Sequence, residues 1–293
     1  MKKILITGVN SYIGNSFEKW LKRFPDKYLV NKISLKNDKW QENSFSMYDV
    51  IFHVAGIAHV SSDPKMEDLY FKINRDLTIK VAKKSKADGV KQFIFMSSII
   101  VYGDRSAEKG YINKDTIPNP ENFYGKSKLQ AEKGLKLLED DNFKIVILRP
   151  PMIYGKNSKG NYSKLSKAVK LLPLFPDVHN KRSMIYIDNL SELIRLVIDN
   201  EDKGIFFPQN TEYIKTSNMV KIIAEVNGKK IRFTRLFNYF LIKILKPKLD
   251  LINKVFGDLY YDKQMSEYRD NYRVISDFRK TIELSEMGRK NEE

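Results

Sequence analysis

Along the first half of the chain, short runs of apolar residues alternate with longer stretches in which apolar side chains recur every three or four positions. Short continuous runs predict buried strands, and the three-to-four spacing predicts amphipathic helices. The apolar runs occupy residues 2–7, 28–35, 49–55, 92–96 and 143–148. The helical spacing occupies residues 11–23, 65–87 and 123–138. This alternation predicts an α/β fold with a doubly wound parallel sheet covered by helices on both faces.

The regular alternation is lost after Gly155. Helical spacing and one short apolar run follow at residues 161–172, 187–199, 204–207 and 217–226. We therefore predict a first domain at 1–155, a smaller C-terminal α/β region at 156–287 and a disordered tail at 288–293. The helix at 187–200 is expected to pack back on the first domain.

Residues 232–257 are basic and aromatic and lack a clear period. Within them, the segment from Phe237 to Lys248 places phenylalanine, leucine and isoleucine beside three lysines. An amphipathic basic segment suits either packing on the smaller region or contact with a membrane or a partner. We favour packing on the smaller region.

Composition and charge narrow the function classes. The 293 residues contain no cysteine, which excludes disulfides and thiolate metal sites and fits a reducing, cytoplasmic location. The net charge of +16 favours anionic partners. No long basic run or nucleic-acid motif is present, so we expect a lysine-rich surface and no nucleic-acid binding. The apolar run after Lys3 is too short for a signal peptide, and no stretch is long enough to insert stably in a bilayer.

A glycine turn joins the first strand to the first helix. It runs from Thr7 and Gly8 through Ser11 to Gly14. Gly8 permits a tight turn, Gly14 permits close helix packing, and the helix N-terminus offers N–H groups to a pyrophosphate. Ser11 stands where a third glycine is expected, and its small hydroxyl is itself a possible donor to phosphate. Strand, turn and helix together predict a dinucleotide site.

The end of the second strand bears on which dinucleotide binds. An acidic residue there selects the ribose hydroxyl of NAD, and a basic residue accepts the additional phosphate of NADP. The chain has both types, since Lys36 is followed by Asp38. Lys36 favours NADP, and Asp38 leaves NAD open.

Polar residues also interrupt the predicted core. His53 lies inside a buried strand and is interpreted as a packed core residue. With His59 and His179 it makes a scattered set, so no histidine metal site is predicted. Asn74 lies on or beside the buried stripe of the 65–87 helix, where an amide needs hydrogen-bond partners. Ser98 follows a predicted strand, at the edge where doubly wound sheets bind ligands.

Tyr124 and Lys128 lie four residues apart on a predicted helix and therefore project from the same face. An ammonium group beside a phenol favours the phenolate, so we expect Lys128 to lower the pKa of Tyr124. Tyr124 is then a candidate proton donor or acceptor. Alone, this spacing also fits a half-buried aromatic with a lysine that reaches solvent.

Taken together, the glycine turn, the Ser98 stretch, the Tyr124–Lys128 pair and Arg149-Pro150 resemble the extended short-chain dehydrogenase/reductase family. The resemblance covers residues 2–230 and is to its nucleotide-sugar epimerases, dehydratases and reductases. It implies a Rossmann-type fold, NAD or NADP as cofactor, and a smaller C-terminal region that binds the nucleotide sugar.

The resemblance also implies roles for individual residues. The phosphate-binding turn corresponds to Thr7, Gly8, Ser11, Tyr12, Ile13 and Gly14, and the segment passing the cofactor ribose corresponds to Ala55 and Gly56. Tyr124 exchanges a proton with the sugar oxygen, Ser98 hydrogen-bonds that oxygen, and Lys128 holds the nicotinamide ribose. Pro150 borders the nicotinamide. Asn74 matches an asparagine near the sugar, and Arg182 resembles the arginine that grips the nucleotide diphosphate.

Within the family, the residues after Ser98 argue against a dehydratase. Dehydratases carry an Asp-Glu pair there, whereas Ile99 and Ile100 cannot move a proton. We favour a 4-ketoreductase that acts on a UDP-linked deoxy or N-acetylated sugar for surface polysaccharides, because the chain is short and carries Lys36. The alternatives are a UDP-sugar 4-epimerase with tightly bound NAD and a non-catalytic NAD(P)-sensing module. Family members often form homodimers through the tyrosine-bearing helix and the long helix before it.

Overall fold

A computed structural model describes residues 1–58, 63–103, 110–235 and 257–287. Its strands are β1 Lys2–Thr7, β2 Tyr28–Ile33, β3 Val50–His53, β4 Gln92–Met96, β5 Tyr111–Ile112, β6 Lys144–Leu148, β7 Met152–Tyr154, β8 Leu174–Pro176, β9 Met184–Tyr186, β10 Gly204–Phe206, β11 Arg232–Thr234 and β12 Tyr260–Tyr261. Its α-helices are α1 Tyr12–Leu21, α2 Glu67–Tyr70, α3 Thr78–Ala87, α4 Phe123–Lys136, α5 Asn161–Leu171, α6 Ile187–Asp199, α7 Thr216–Val226 and α8 Phe278–Glu286.

Six of these strands form one parallel sheet in the order β10-β6-β4-β3-β1-β2. The chain moves from β1 outward to β2 and then returns to the other side of β1 as β3. The order therefore reverses between β1 and β3, and the crevice beyond their carboxyl ends is where such sheets bind ligands. The predicted Rossmann-type doubly wound sheet is confirmed.

Helices cover both faces of the sheet because alternate strand residues point to opposite sides. On one face, Ile4 and Ile6 pack in a cluster with Phe17 of α1 and Leu190 of α6. On the other face, Leu5 packs in a cluster with the buried residues of α3 and α4, which include Val81, Ala82, Ala131 and Leu135. Both clusters are almost fully buried, which explains why the strands read as continuous apolar runs.

The residues after 155 contribute to the same sheet and add a second set of elements. Strand β10 pairs with β6, and α6 packs on α1, where Trp20 Nε1 donates to Glu192 Oε2 over 2.8 Å. Three further parallel pairs join β7 with β9, β8 with β11, and β5 with β12. Helix α7 lies between α5 and α8. The division at residue 155 stays a prediction.

Two helices differ from the sequence predictions. The 65–87 helix contains a π-helical segment, Phe71–Leu77, which rotates its buried face. Asn74 is therefore fully buried, while Leu69, which precedes the π-helical segment, is 41% exposed. Helix α8 is not among the predicted helices, and its buried face mixes Phe278 and Ile282 with polar residues.

Two predictions for the chain after residue 235 fall outside the part that the structure describes: the amphipathic 237–248 segment and the 288–293 tail. Across the described ranges, no helix is both long and apolar enough to cross a membrane. Within the same ranges, no three histidine or acidic side chains are grouped as a metal site would require.

Candidate active site

The glycine turn after β1 lies directly against the end of β3. Gly8 has φ +89°, a conformation that side chains other than glycine rarely adopt, and a Cβ there would lie 3.2 Å from the Ala55 backbone. A Cβ on Gly14 would lie 2.9 Å from Cγ2 of Ile6. The absence of side chains at these two positions lets β1, α1 and the end of β3 converge at the reversal point of the sheet.

Helix α1 begins directly after this turn. Ser11 is the N-cap, and its Oγ accepts from the N–H of Gly14 over 3.2 Å, which leaves the hydroxyl proton free to be donated. Tyr12 and Ile13 instead turn inward: both pack on the core, and the Tyr12 oxygen approaches Gly155. A helix N-terminus behind a turn that begins at Gly8 fits an anionic diphosphate. The structure thus fits a dinucleotide at this turn.

His53 links the turn to the π-helical segment through a chain of buried hydrogen bonds. Thr78 Oγ1 donates to the Asn74 carbonyl over 2.8 Å, so it accepts from His53 Nε2 over 3.0 Å. His53 Nδ1 must then accept from Thr7 Oγ1 over 2.9 Å, and Thr7 in turn accepts from the Ala55 N–H. Burial and the nearby Lys128 lower the pKa of His53 to about 3. The imidazole is therefore neutral and holds the turn in register with the helix.

This pKa predicts acid destabilisation. His53 resists protonation in the folded protein, whereas the unfolded chain binds that proton below the ordinary pKa of 6.5. Between pH 6.5 and 3 the unfolded state binds more protons, so stability falls as pH falls. We expect His53 to account for a loss of about 2 kcal/mol in unfolding free energy between pH 7 and 5. Urea titrations of the wild type and His53→Gln at both pH values measure this change in unfolding free energy.

The matched control for that experiment is His179→Gln, since the His179 side chain is mostly exposed. We expect His179→Gln to keep the wild-type difference between pH 7 and pH 5. An unchanged difference in His53→Gln would contradict the assignment of the buried neutral imidazole.

Asn74 holds the loop that follows β3. Its Oδ1 accepts from the Ile57 N–H over 2.9 Å, and its Nδ2 donates to the Ile57 carbonyl over 3.0 Å and to Ser127 Oγ over 3.3 Å. A Cβ on Gly56 would lie 2.9 Å from Asn74 Oδ1. Both amide protons are used within the protein, so contact with a sugar, which stays a prediction, would have to use Oδ1.

Ser98 and Tyr124 meet where α4 begins. A Cβ on Gly125 would lie 2.8 Å from the Ile100 carbonyl oxygen, so the glycine permits α4 to approach the turn that follows Ser98. Asn122 caps the helix by accepting from the Gly125 N–H over 2.8 Å. Tyr124 and Ser98 are hydrogen-bond partners in this arrangement. Ser98 and Tyr124, which are 26 residues apart in the sequence, are thus neighbours at the carboxyl edge of the sheet.

The pKa of Tyr124 is raised to about 12, mainly because its phenol is buried and also because Tyr70 lies beside it. The hydrogen bond with Ser98 acts in the opposite direction and lowers it. The expectation that Lys128 lowers this pKa is therefore wrong for the structure described. At neutral pH Tyr124 therefore carries its proton.

Lys128 lies one turn further along α4, and its ammonium group is directed into the protein. Nζ donates to the Met96 carbonyl over 2.8 Å and lies 4.6 Å from the centre of the Phe95 ring. A Cβ on Gly56 would lie 3.4 Å from this Nζ, so the lysine borders the segment after β3. Burial lowers the pKa of Lys128 to about 8, and the Glu132 carboxylate partly offsets that effect.

Glu132 and Arg149 form a buried ion pair beneath these residues. Arg149 Nε and Nη2 donate to the two Glu132 oxygens over 3.1 and 2.5 Å, and Ser97 Oγ also donates to Glu132. Arg149 Nη1 donates to the Tyr102 oxygen over 2.7 Å, and the Arg149 carbonyl accepts from the Tyr261 hydroxyl over 2.9 Å. Sequence reasoning missed this pair. The available signal was Glu132, which repeats the four-residue spacing of Tyr124 and Lys128.

The remaining predicted site residues lie in different surroundings. Pro150 is buried, and its carbonyl accepts from the Ile99 N–H over 2.9 Å, beside Ser98. Lys36 is exposed after β2, whereas Asp38 lies 3.7 Å from Lys80 Nζ. Arg182 belongs to the C-terminal elements: its backbone bridges Ile214 and Leu259, and its Nη1 donates to the Gly257 carbonyl over 2.7 Å.

Comparison with known protein families gives one match that spans most of the chain. The model of the NAD dependent epimerase/dehydratase family matches residues 4–207. This range includes the glycine turn, Ser98, Tyr124, Lys128 and Pro150.

Similar proteins include enzymes with two reaction types. A UDP-glucose 4-epimerase of Vibrio cholerae is 30% identical over 286 residues, which cover 89% of this chain and 87% of that protein. The dTDP-4-dehydrorhamnose reductase of Bacillus anthracis, solved with NADP, has a TM-score of 0.75 at 21% identity, covering 98% of this chain and 99% of that one. The UDP-glucuronic acid 4-epimerase of Bacillus cereus, solved with NAD, has a TM-score of 0.73 at 18% identity, covering 99% of each chain.

Proposed function

Because the chain belongs to the NAD-dependent epimerase/dehydratase family, we propose that it catalyses NAD(P)-dependent hydride transfer at a carbon, C4, of a nucleotide-linked sugar. The observation that carries this proposal is the convergence of Ser98, Tyr124 and Lys128 at the edge of the sheet that also holds the Gly8 turn. A proton donor beside a dinucleotide cradle is the arrangement that carbonyl reduction and its reverse require.

The dinucleotide supplies or accepts the hydride, and the residues of this chain handle the oxygen. Tyr124, protonated at neutral pH, gives its proton to the sugar oxygen as the carbonyl becomes an alcohol. Ser98 donates a hydrogen bond to the same oxygen and so stabilises its developing negative charge. Lys128, held by Met96, lies beside Gly56 and orients the cofactor ribose. In the reverse direction, Tyr124 must first lose its proton.

The substrate class that we propose is a sugar joined to UDP. Support comes from the Vibrio cholerae relative, which is named for UDP-glucose and covers most of this chain. Arg182 would meet the diphosphate with its planar guanidinium group, and Asn74 Oδ1 would face the sugar. Homodimer formation through α4 and the helix before it also stays a prediction, and the exposed Leu69 on the latter is consistent with it.

Two reactions are open within this chemistry. The 4-epimerase is favoured by the Vibrio cholerae relative, and the short chain no longer argues against it, because this chain covers 87% of that epimerase. The 4-ketoreductase is favoured by Lys36, which is exposed where a 2′-phosphate would lie. We place the 4-epimerase first and the 4-ketoreductase second. A non-catalytic NAD(P) sensor is disfavoured, since Tyr124 and Lys128 are both present.

One preparation of the purified protein separates these outcomes. Cofactor released on denaturation is measured first, and turnover of UDP-glucose without added cofactor is measured second. Retained stoichiometric NAD together with a product inverted at C4 supports the epimerase. An empty protein that consumes NADPH with a 4-keto nucleotide sugar supports the reductase. A protein that neither retains a dinucleotide nor binds one would overturn the proposed function.

Lys36 gives a further prediction on cofactor choice. We expect Lys36→Ala to weaken NADPH binding by roughly tenfold to a hundredfold and to leave NADH binding unchanged, because only NADPH carries the 2′-phosphate. Titration of the nicotinamide fluorescence measures both dissociation constants. Lys39→Ala, at another exposed lysine nearby, is the matched control. Equal losses for the two cofactors, or no loss for either, would remove Lys36 from the cofactor site.

A further inference from the structure

Three large apolar side chains are exposed together where α5 ends and β8 begins. Leu171 is 81% exposed, Leu172 is 41% exposed and Leu174 is 36% exposed, and only Pro173 separates them. The other large apolar side chains exposed in the described ranges occur singly along the chain. Single exposed apolar residues are ordinary on a protein surface, but a contiguous group indicates a contact surface.

Basic side chains surround these leucines. Lys164 and Lys167 are exposed on α5, seven and four residues before Leu171, and this spacing places them on the same helix face as Leu171. Exposed Arg232 of β11 is the direct register partner of Leu174 in β8. We call this group the basic–leucine surface; it comprises Lys164, Lys167, Leu171, Leu172, Leu174 and Arg232.

The two stretches that carry this surface contain no acidic residue. No Asp or Glu occurs between residues 151 and 176 or between 227 and 249 in the sequence. Lys229 donates to the Lys170 carbonyl, which brings the second of these stretches against the end of α5. The acidic residues that border the two stretches are already paired, Asp177 with Lys215 at 2.7 Å and Glu225 with Arg279 at 2.7 Å.

We infer that the basic–leucine surface binds the anionic face of a lipid bilayer. Lysine and arginine next to such a face are attracted by lipid phosphates, while the leucines gain by leaving water for the acyl boundary. A nucleic acid would satisfy the charges but offers no apolar phase for three leucines. Attachment through a few basic and leucine side chains is peripheral and reversible.

Vesicle flotation with the full-length protein tests the inference. The probes are vesicles of phosphatidylcholine and the same vesicles with phosphatidylglycerol added. We expect binding only to the anionic vesicles, weakening as salt is raised. Lys164→Glu/Lys167→Glu and, separately, Leu171→Ser/Leu172→Ser should each weaken binding by about tenfold or more.

The matched controls lie elsewhere on the surface. Lys83→Glu/Lys91→Glu reverses two exposed lysines distant in sequence from these leucines, and Leu137→Ser replaces a leucine that is 87% exposed. Both should bind like the wild type, and every variant should keep the wild-type melting temperature. The inference is overturned if the wild type does not bind anionic vesicles. It is also overturned if binding survives either double substitution or responds only to the lysine change.

Discussion

Tyr124→Phe is expected to lower kcat by about 10²- to 10⁴-fold while cofactor affinity stays near the wild-type value. The substitution removes only the phenolic oxygen, which carries the proton and bonds Ser98. The ring would still pack on Tyr70, whose ring centre lies 5.9 Å away. The glycine turn at Gly8 lies on a different element and would be unaffected. The substitution is therefore expected to remove proton transfer and to leave the dinucleotide-binding turn intact.

Steady-state kinetics and cofactor titration separate these two effects. The control is Tyr70→Phe, which makes the same chemical change in the neighbouring ring and should leave kcat within a few-fold of the wild type. Turnover of Tyr124→Phe near the wild-type rate would show that another group supplies the proton. Loss of cofactor binding in the same variant would show that the Tyr124 hydroxyl contributes to cofactor binding and not to proton transfer.

Glu132→Gln is expected to cost about 3–5 kcal/mol of unfolding free energy, because it leaves the buried Arg149 charge without its counter-ion. The substitution keeps the shape of the side chain, so packing against Ser97 is largely retained. Urea denaturation at neutral pH measures the change. The same variant should lower the pKa of Lys128 further, since the Glu132 carboxylate is the group that supports its charge.

A surface ion pair provides the comparison for this cost. Glu201 lies 2.5 Å from Lys2 and 3.3 Å from Lys144, and its side chain is half exposed. We expect Glu201→Gln to cost less than about 1 kcal/mol, because water screens an exposed pair. Replacing both buried partners, as Glu132→Leu/Arg149→Met, should recover most of the loss. Equal losses of unfolding free energy for Glu132→Gln and Glu201→Gln would contradict the expected penalty for a buried, uncompensated Arg149 charge.

Sequence patterns predicted the elements whose structure depends on residues within one short segment. The apolar runs of β1, β3, β4 and β6 are buried on both faces, so their burial is visible in each run alone. The turn at Gly8 also has a local cause, because its glycine spacing can be read from the sequence between β1 and α1. The π-helical segment cannot be read in this way, because Asn74 within it bonds to Ile57 of the loop after β3, a contact that exists only in the folded chain. Helix α8 was missed because it buries polar Thr281 and Glu286, whose partners are distant in sequence.

The candidate site shows the same division. The spacing of Tyr124 and Lys128 on one face was predicted, since both belong to one helix. The pKa of Tyr124 was not, because it depends on burial that only the packed structure creates. The spacing along α4 places Glu132 on the face of Tyr124 and Lys128, but it does not identify Arg149, at the end of β6, as its partner.

The Tyr261 hydrogen bond to the Arg149 carbonyl has a consequence for how the protein is made. On the ribosome, strands β1 to β6 emerge well before residue 261, yet Arg149 lacks one of its buried partners until Tyr261 has been synthesised and has left the exit tunnel. Strand β10, which completes the sheet edge beside β6, is also made late. A nascent chain therefore carries an unfinished site through most of its translation. Fragments that end near residue 155 expose the uncovered edge of β6 to self-association.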